Sequence, residues 1–156
     1  MNREIWLLIF CLVSCNHGSK RSQKQVDSIY KTPAEKGLAN LANSKYTDQK
    51  FSEALQLYDS LISIDSAMPG YYFKRGYCKS MLFDYNGAIT DCKKAINHNF
   101  SGKSNAYSNI GAVYDLCLHK YDSAIYYYNE CLKLDPENIK AKMGKADAIK
   151  TLEQLP

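Results

Sequence analysis

The sequence predicts an all-α protein built of three stacked helical hairpins and one closing helix. Two repeating observations and one terminal feature predict it. Tyr121, Ala124, Ile125, Tyr128, Cys131 and Leu132 fall on one helix face, the i, i+3, i+4, i+7 spacing of an amphipathic helix. The same six offsets return as Tyr85, Ala88, Ile89, Cys92, Ala95 and Ile96, and as Phe51, Ala54, Leu55, Tyr58, Leu61 and Ile62. The three alanines stand 34 and 36 residues apart. After the third copy, Ile139, Met143, Ala146, Ile149 and Leu152 form a narrow apolar stripe with Lys140, Lys142, Lys145, Asp147 and Lys150 mostly outside it. A terminal helix has this pattern when its apolar side covers a core and its other side meets water.

The chain opens on an address. Arg3 precedes an unbroken apolar run from Ile5 to Val13, far short of the ~20 residues that span a bilayer as a helix. Leu12-Val13-Ser14-Cys15 resembles the lipobox of bacterial lipoproteins. The resemblance implies a signal peptide over residues 1–14, cleavage before Cys15, and acylation of the Cys15 thiol. Glu4 departs from the usual basic start by partly offsetting Arg3. Residues 15–32 are polar, without sustained periodicity, and read as a flexible tether. Lys20, Arg21 and Lys24 belong to this solvated stretch. Pro33 then opens the first helix, with Thr32 as its cap.

The first helices of the hairpins also repeat. Tyr107, Ile110, Gly111 and Tyr114 are echoed by Tyr72, Arg75, Gly76 and Lys79, and by Leu38, Leu41, Ala42 and Lys45. With Ala124, Tyr128 and Pro136 on the second helix, the pattern resembles the tetratricopeptide repeat, whose unit is about 34 residues long. The second copy departs from the family pattern at Arg75, Lys79 and Cys92. The resemblance implies three helix-turn-helix repeats, about residues 35–68, 69–102 and 104–138, stacked as a short right-handed superhelical solenoid. A capping helix over about 136–153 completes a domain of residues 33–153, with Asp135 as its cap and Pro136 as its first residue. Small residues at Ala42, Gly76 and Gly111 are expected where paired helices cross closely, with Ala54, Ala88 and Ala124 facing them. The 36-residue step requires two extra residues, placed in the linker near Lys103 and in the turn near His119.

Composition excludes some functions. The net charge is +4 over 156 residues, and lysines alternate with acids along most of the chain, so no nucleic-acid surface is expected. His17, His98 and His119 are isolated, and no metal-ligand spacing or phosphate-binding glycine loop occurs in the sequence. The reading is therefore non-enzymatic, with no metal, no cofactor and no small-molecule substrate. Cys78 and Cys92, like Cys117 and Cys131, place one thiol on each helix of a hairpin. They are either buried free thiols or hairpin disulfides in an oxidising compartment; Cys92 and Cys131 lie on core stripes, which favours the first.

The resemblance places a concave groove along the outer side of the first helices. Its candidate residues are Asn43 and Tyr46 in repeat one, Phe73, Tyr77, Ser80 and Met81 in repeat two, and Asn105, Ser108 and Asp115 in repeat three. Phe73, Tyr77 and Met81 form a second apolar line, either anchors for a peptide or packing between adjacent first helices. The basic carboxylate clamp of some chaperone-binding members is not evident, because Ala39, Lys74, Asn105 and Asn109 occupy its neighbourhood and only Asn43 is similar. The expected function is a lipid-anchored envelope scaffold that binds an unknown protein or peptide. An assembly factor for an outer-membrane, pilus or secretion complex, and a spacer docking through its last helix, are the alternatives. Asn16 after the lipidated cysteine points to the outer membrane, facing the periplasm, in a diderm cell.

Overall fold

The computed structural model describes residues 30–154, which form seven α-helices. The lipobox with Cys15, and most of the tether, lie outside the described residues. In chain order the helices are α1 (Pro33–Thr47), α2 (Phe51–Ile64), α3 (Pro69–Met81), α4 (Tyr85–Asn97), α5 (Lys103–Ala112), α6 (Tyr121–Leu134) and α7 (Ile139–Glu153). The stripes read on α2, α4 and α6 are the faces that pack: Ala54, Ala88 and Ala124 are buried, as are Tyr58, Leu61, Cys92, Ala95, Tyr128 and Cys131.

The start of α1 is capped as its sequence requires. The Glu35 amide donates to Thr32 Oγ1 at 3.1 Å, while the Lys31 amide donates to the Glu35 carboxylate at 2.8 Å. The first bond satisfies an amide that the first turn cannot pair internally, and the second ties the residue before the cap to the same turn. The packed hairpins belong to the unit that begins at Gly37. Within it, α2 packs on α3, α3 on α4, α4 on α5, α5 on α6, and α6 on α7.

Each hairpin turn places one residue in the left-handed region: Gln49 (φ 60°), Phe83 (φ 66°) and His119 (φ 51°). A glycine would adopt this conformation at lower cost, yet none of the three is glycine. In the first two turns the amide after that residue bonds five residues back, Lys50 to Lys45 and Asp84 to Lys79, both at 2.9 Å. In the third, Lys120 reaches back to Tyr114, one residue further, at 2.8 Å.

That extra residue corrects the sequence reading. It lies not in the turn near His119 but inside the helix, where α5 continues as a π-helical turn over Val113–Cys117. There the Leu118 amide bonds the Val113 carbonyl at 3.1 Å. The second extra residue is in the linker before Lys103, which runs from His98 to Gly102 and holds Asn99 at φ 58°.

The close crossings occur where the small residues are. A Cβ on Gly76 would lie 3.1 Å from the Ala88 carbonyl oxygen and 3.1 Å from Asp91 Cβ. A Cβ on Gly111 would lie 2.7 Å from the Tyr128 ring, so in the third hairpin the nearest neighbour is Tyr128 rather than Ala124.

Two expectations for the last helix fail. It begins at Ile139, not Pro136, because Asn138 is the cap and accepts from the Ala141 amide at 3.0 Å. Asp135 instead closes α6, and its carboxylate accepts from the Glu137 amide at 3.2 Å. Asp65 closes α2 in the same way, accepting from Ala67 at 3.1 Å.

The face that α7 turns inward is also not the apolar stripe. Ala141 and Ala148 are fully buried, whereas Ile139 is 71% exposed and Met143 56%, with Ala146 and Ile149 exposed beside them. Tyr128 is the cause. Its ring fills the space between α5 and α7, and Gly144 lies against it so closely that a Cβ would collide with the phenol end. Only small side chains fit that face.

Candidate functional site

The first helices present a mixed aromatic and polar surface across repeats one and two. Tyr46 near the end of α1 lies 5.3 Å from Tyr77 of α3, ring centre to ring centre. Phe51, the first residue of α2, closes the group at 6.0 Å from Tyr77 and 6.4 Å from Tyr46. All three rings are half-buried, so each keeps part of its face in solvent. Tilted and edge-on contacts of this kind favour the positive edge of one ring against the negative face of another.

A cation borders the rings. Lys74 Nζ stands 5.9 Å from the centre of the Tyr46 ring and donates to Asn43 Oδ1 at 2.5 Å. Asn43 Oδ1 also accepts from the buried Tyr58 hydroxyl at 2.9 Å. The amide is thus held by a core tyrosine on one side and an ammonium on the other. Aromatic surface with an adjacent fixed cation suits an apolar side chain flanked by an acidic group.

The remaining sequence candidates divide. Met81 is half-buried at the end of α3, and Ser80 donates its hydroxyl to the Tyr77 carbonyl at 2.8 Å, within the same helix. Asn105 is exposed on α5. Phe73 is packing: its ring lies 4.8 Å from Phe100 and joins the cluster of Ile89, Cys92, Ala106, Ile110 and Val113.

Ser108 and Asp115 are buried and leave the groove set. The π-helical turn explains Asp115. Counted back from the left-handed turn residue, it matches Lys45 and Lys79, whose side chains bind Glu53 and Asp91 on the second helix. The inserted residue turns Asp115 toward that same partner, where it accepts from the Tyr128 hydroxyl at 3.4 Å. Burial pushes its carboxyl pKa up, with the Tyr128 hydrogen bond acting against it.

Two residues of this surface are not among the sequence candidates. Phe51 was read only as a core position, because helical periodicity cannot see across the turn that brings it to Tyr46. Lys74 was weighed only as a clamp position, although its spacing places it beside Tyr77 on the exposed side of α3. The largest polar feature of repeat two was also unread. Arg75 makes a two-point bond to Asp91 at 2.7 and 2.6 Å, Lys79 joins at 2.9 Å, and Arg75 reaches Asp59 on α2 at 2.7 Å. The departures from the family pattern at Arg75 and Lys79 are therefore an ion network centred on the buried carboxylate of Asp91. The network raises the Arg75 pKa above its ordinary value, chiefly through the Asp91 hydrogen bonds.

The four described cysteines are free thiols, so neither hairpin disulfide forms; Cys117 is half-buried, while Cys78, Cys92 and Cys131 are buried. Desolvation pushes Cys78 and Cys92 up to about 12 and Cys131 up to about 11, so all three are protonated at neutral pH.

No family model matches the chain. The small glutamine-rich tetratricopeptide repeat-containing protein of Dictyostelium discoideum is 34% identical over 121 residues, 76% of this chain and 35% of that protein. Heat shock protein STI1 of Saccharomyces cerevisiae is 30% identical over 104 residues, 65% of this chain and 17% of that protein. The chain spans about a third or less of the length of these relatives. Among solved structures, the first repeat domain of Spaghetti (RPAP3) bound to the HSP90 peptide SRMEEVD has a TM-score of 0.71 at 26% identity. That match covers 77% of this chain and 94% of that one. MamA has a TM-score of 0.72 at 22% identity, covering 83% of this chain and 74% of the other.

Proposed function

From a chain whose described residues form a tetratricopeptide-repeat domain, we propose a lipid-anchored scaffold that binds a protein or peptide along its first helices. The single observation that carries the reading is the half-buried group Tyr46, Phe51 and Tyr77 with Lys74 and Asn43 at its edge. Met81 and Asn105 extend this surface. The comparison with Spaghetti, solved with an acidic HSP90 peptide, supports a peptide as ligand. Lys74 favours an acidic residue beside an apolar one. Of the four residues in the clamp neighbourhood Lys74 is the one cation, and Ala39, Asn105 and Asn109 carry none, so an internal acidic-apolar motif suits the site better than a terminal carboxylate, which a basic clamp of several cations would hold.

Capture by a photocrosslinker placed at Met81, read by mass spectrometry, tests the groove. Tyr77→Ala is expected to weaken capture over about tenfold while leaving the melting temperature unchanged. Phe73→Ala behaves as a core truncation, costing about 3–5 kcal/mol of stability. Undiminished capture by the Tyr77 variant rejects the site. Anchoring is tested apart from it. Cys15→Ala should abolish fatty-acid labelling and leave the precursor uncleaved, and persistent labelling would refute the lipobox.

A further inference from the structure

The outward apolar side of α7 has a counterpart inside the molecule that shows what it is built to meet. Asp65 and Asp135 close α2 and α6 alike. Counted from them, α7 is in register with α3. Ala141 and Ala148, which pack inward, match Tyr71 and Cys78, the buried residues of α3. The next face along matches Tyr72, Arg75, Gly76 and Lys79 of α3 to Lys142, Lys145, Ala146 and Ile149 of α7. In α3 that face receives α4: Gly76 lies against the Ala88 carbonyl, while Arg75 and Lys79 bind Asp91. In α7 Lys142, Ala146 and Ile149 are exposed, and Lys145 is half-buried. Met143, the counterpart of the packed Phe73, is also exposed. Thus α7 has the register of a repeat's first helix, and among the described residues no second helix covers that face.

We propose that this face is a second docking site, separate from the groove, for an amphipathic helix of a partner protein. Its chemistry follows from α4. A small residue must stand at the crossing over Ala146, since helices approach closely only where side chains are small. A carboxylate three positions later, as Asp91 follows Ala88, would meet Lys145. The charge of the face fits an acidic helix. Lys142 and Lys145 lie on it; Lys142 also binds Glu137 at 3.0 Å, and Glu153 stands at the far end of the helix. Apolar contact comes from Ile149 and Met143.

The probe is a fluorescent peptide copying residues 84–98, with Cys92→Ser and a hydrocarbon staple joining positions 90 and 94, which are exposed in α4. Anisotropy against the full chain should show saturable binding. Ala146→Gln, which adds bulk at the crossing, and Lys145→Glu, which reverses the charge, should each weaken it at least about tenfold. Lys145→Glu should regain affinity for a peptide carrying Asp91→Lys, which a merely structural effect of the variant would not produce. Tyr77→Ala should bind the peptide as the parent does, so loss of the groove and loss of this site are read separately. Absence of saturable binding overturns the proposal, as does equal affinity in both α7 variants. Two results would reassign the face: a dimer in sedimentation that Ala146→Gln dissolves, or Ala146-dependent binding to phosphatidylglycerol vesicles, in either case without peptide binding.

Discussion

The second and third hairpins share a backbone design and use opposite chemistry at the same places. Counted from the crossing glycines Gly76 and Gly111 rather than from the turns, Arg75 and Lys79 match Ile110 and Tyr114, and counted from Ala88 and Ala124, Asp91 matches Tyr127. In the second, Lys79 meets Asp91 at 2.9 Å and Arg75 grips both carboxylate oxygens. In the third, Tyr114 stacks on Tyr127 with ring centres 5.5 Å apart and planes 8° from parallel. One hairpin is joined across its helices by charge and the other by aromatic surface. The contact position needs complementary partners rather than particular residues. The two solutions fail differently when a partner is lost, because a stranded buried charge costs more than a lost ring contact.

The largest effect should come from stranding the ion network. Asp91→Ala leaves Lys79 without its buried carboxylate and Arg75 with Asp59 and the Tyr72 ring, at a cost of about 3 kcal/mol in denaturant unfolding, the low end for a broken buried pair because both cations keep some contact with solvent. The triple substitution Arg75→Ile, Lys79→Tyr, Asp91→Tyr rebuilds the third hairpin's chemistry in the second. It should recover most of that loss, since apolar packing can replace a buried ion network and these three side chains already pack together at the matching positions of the third hairpin. A triple variant no more stable than Asp91→Ala would break the equivalence of the two hairpins.

A smaller loss should follow Gly111→Ala. Its new methyl group would meet the Tyr128 ring at 2.7 Å, and forcing that ring aside costs about 1–3 kcal/mol. The same change at Gly76 meets the Ala88 backbone and Asp91 Cβ at 3.1 Å. Because those neighbours need give by only a few tenths of an ångström, against a larger displacement of the Tyr128 ring, thermal melts should show the smaller drop there. A larger drop at Gly76 would reverse this ordering of the two crossings.

The smallest effect is a pH slope confined to the third hairpin. Burial raises the folded pKa of Asp115, and nearby Asp147 acts in the same sense, while the Tyr128 hydrogen bond and His119 oppose. The folded state therefore holds this proton where the unfolded chain has released it. Stability falls as pH rises from about 3.9, the ordinary aspartate value, to the raised folded value, and is flat above it. Asp115→Asn should remove that slope from melts taken across this range and raise stability at neutral pH. An unchanged slope would mean that the carboxylate keeps its water.

Much of the molecule was legible because its signals are local. The six-offset stripe marks α2, α4 and α6, and each stripe packs. Thr32 and Pro33 announce the start of α1, and Thr32 caps it. The proposed binding surface was legible only in part. The resemblance singled out Tyr46 and Tyr77, whose rings lie together, but Phe73 belongs to packing and Phe51 comes in across a turn. Arg75 and Lys79 read as departures because their partner, Asp91, lies on another helix, at a position where the third hairpin has a tyrosine.

The sequence by itself determined the number of hairpins, the inward faces of the second helices and the small residues at the crossings, since a 3.6-residue period fixes which side chains share a face. Only the tertiary structure decided which face of α7 turns inward. Helical periodicity marks an apolar stripe but not its neighbour, and the Tyr128 ring leaves room there for Ala141, Gly144 and Ala148 alone. The tertiary structure likewise decided that Asp115 is buried, because one residue inserted into the helix over Val113–Cys117 turns it toward Tyr128 and away from the groove.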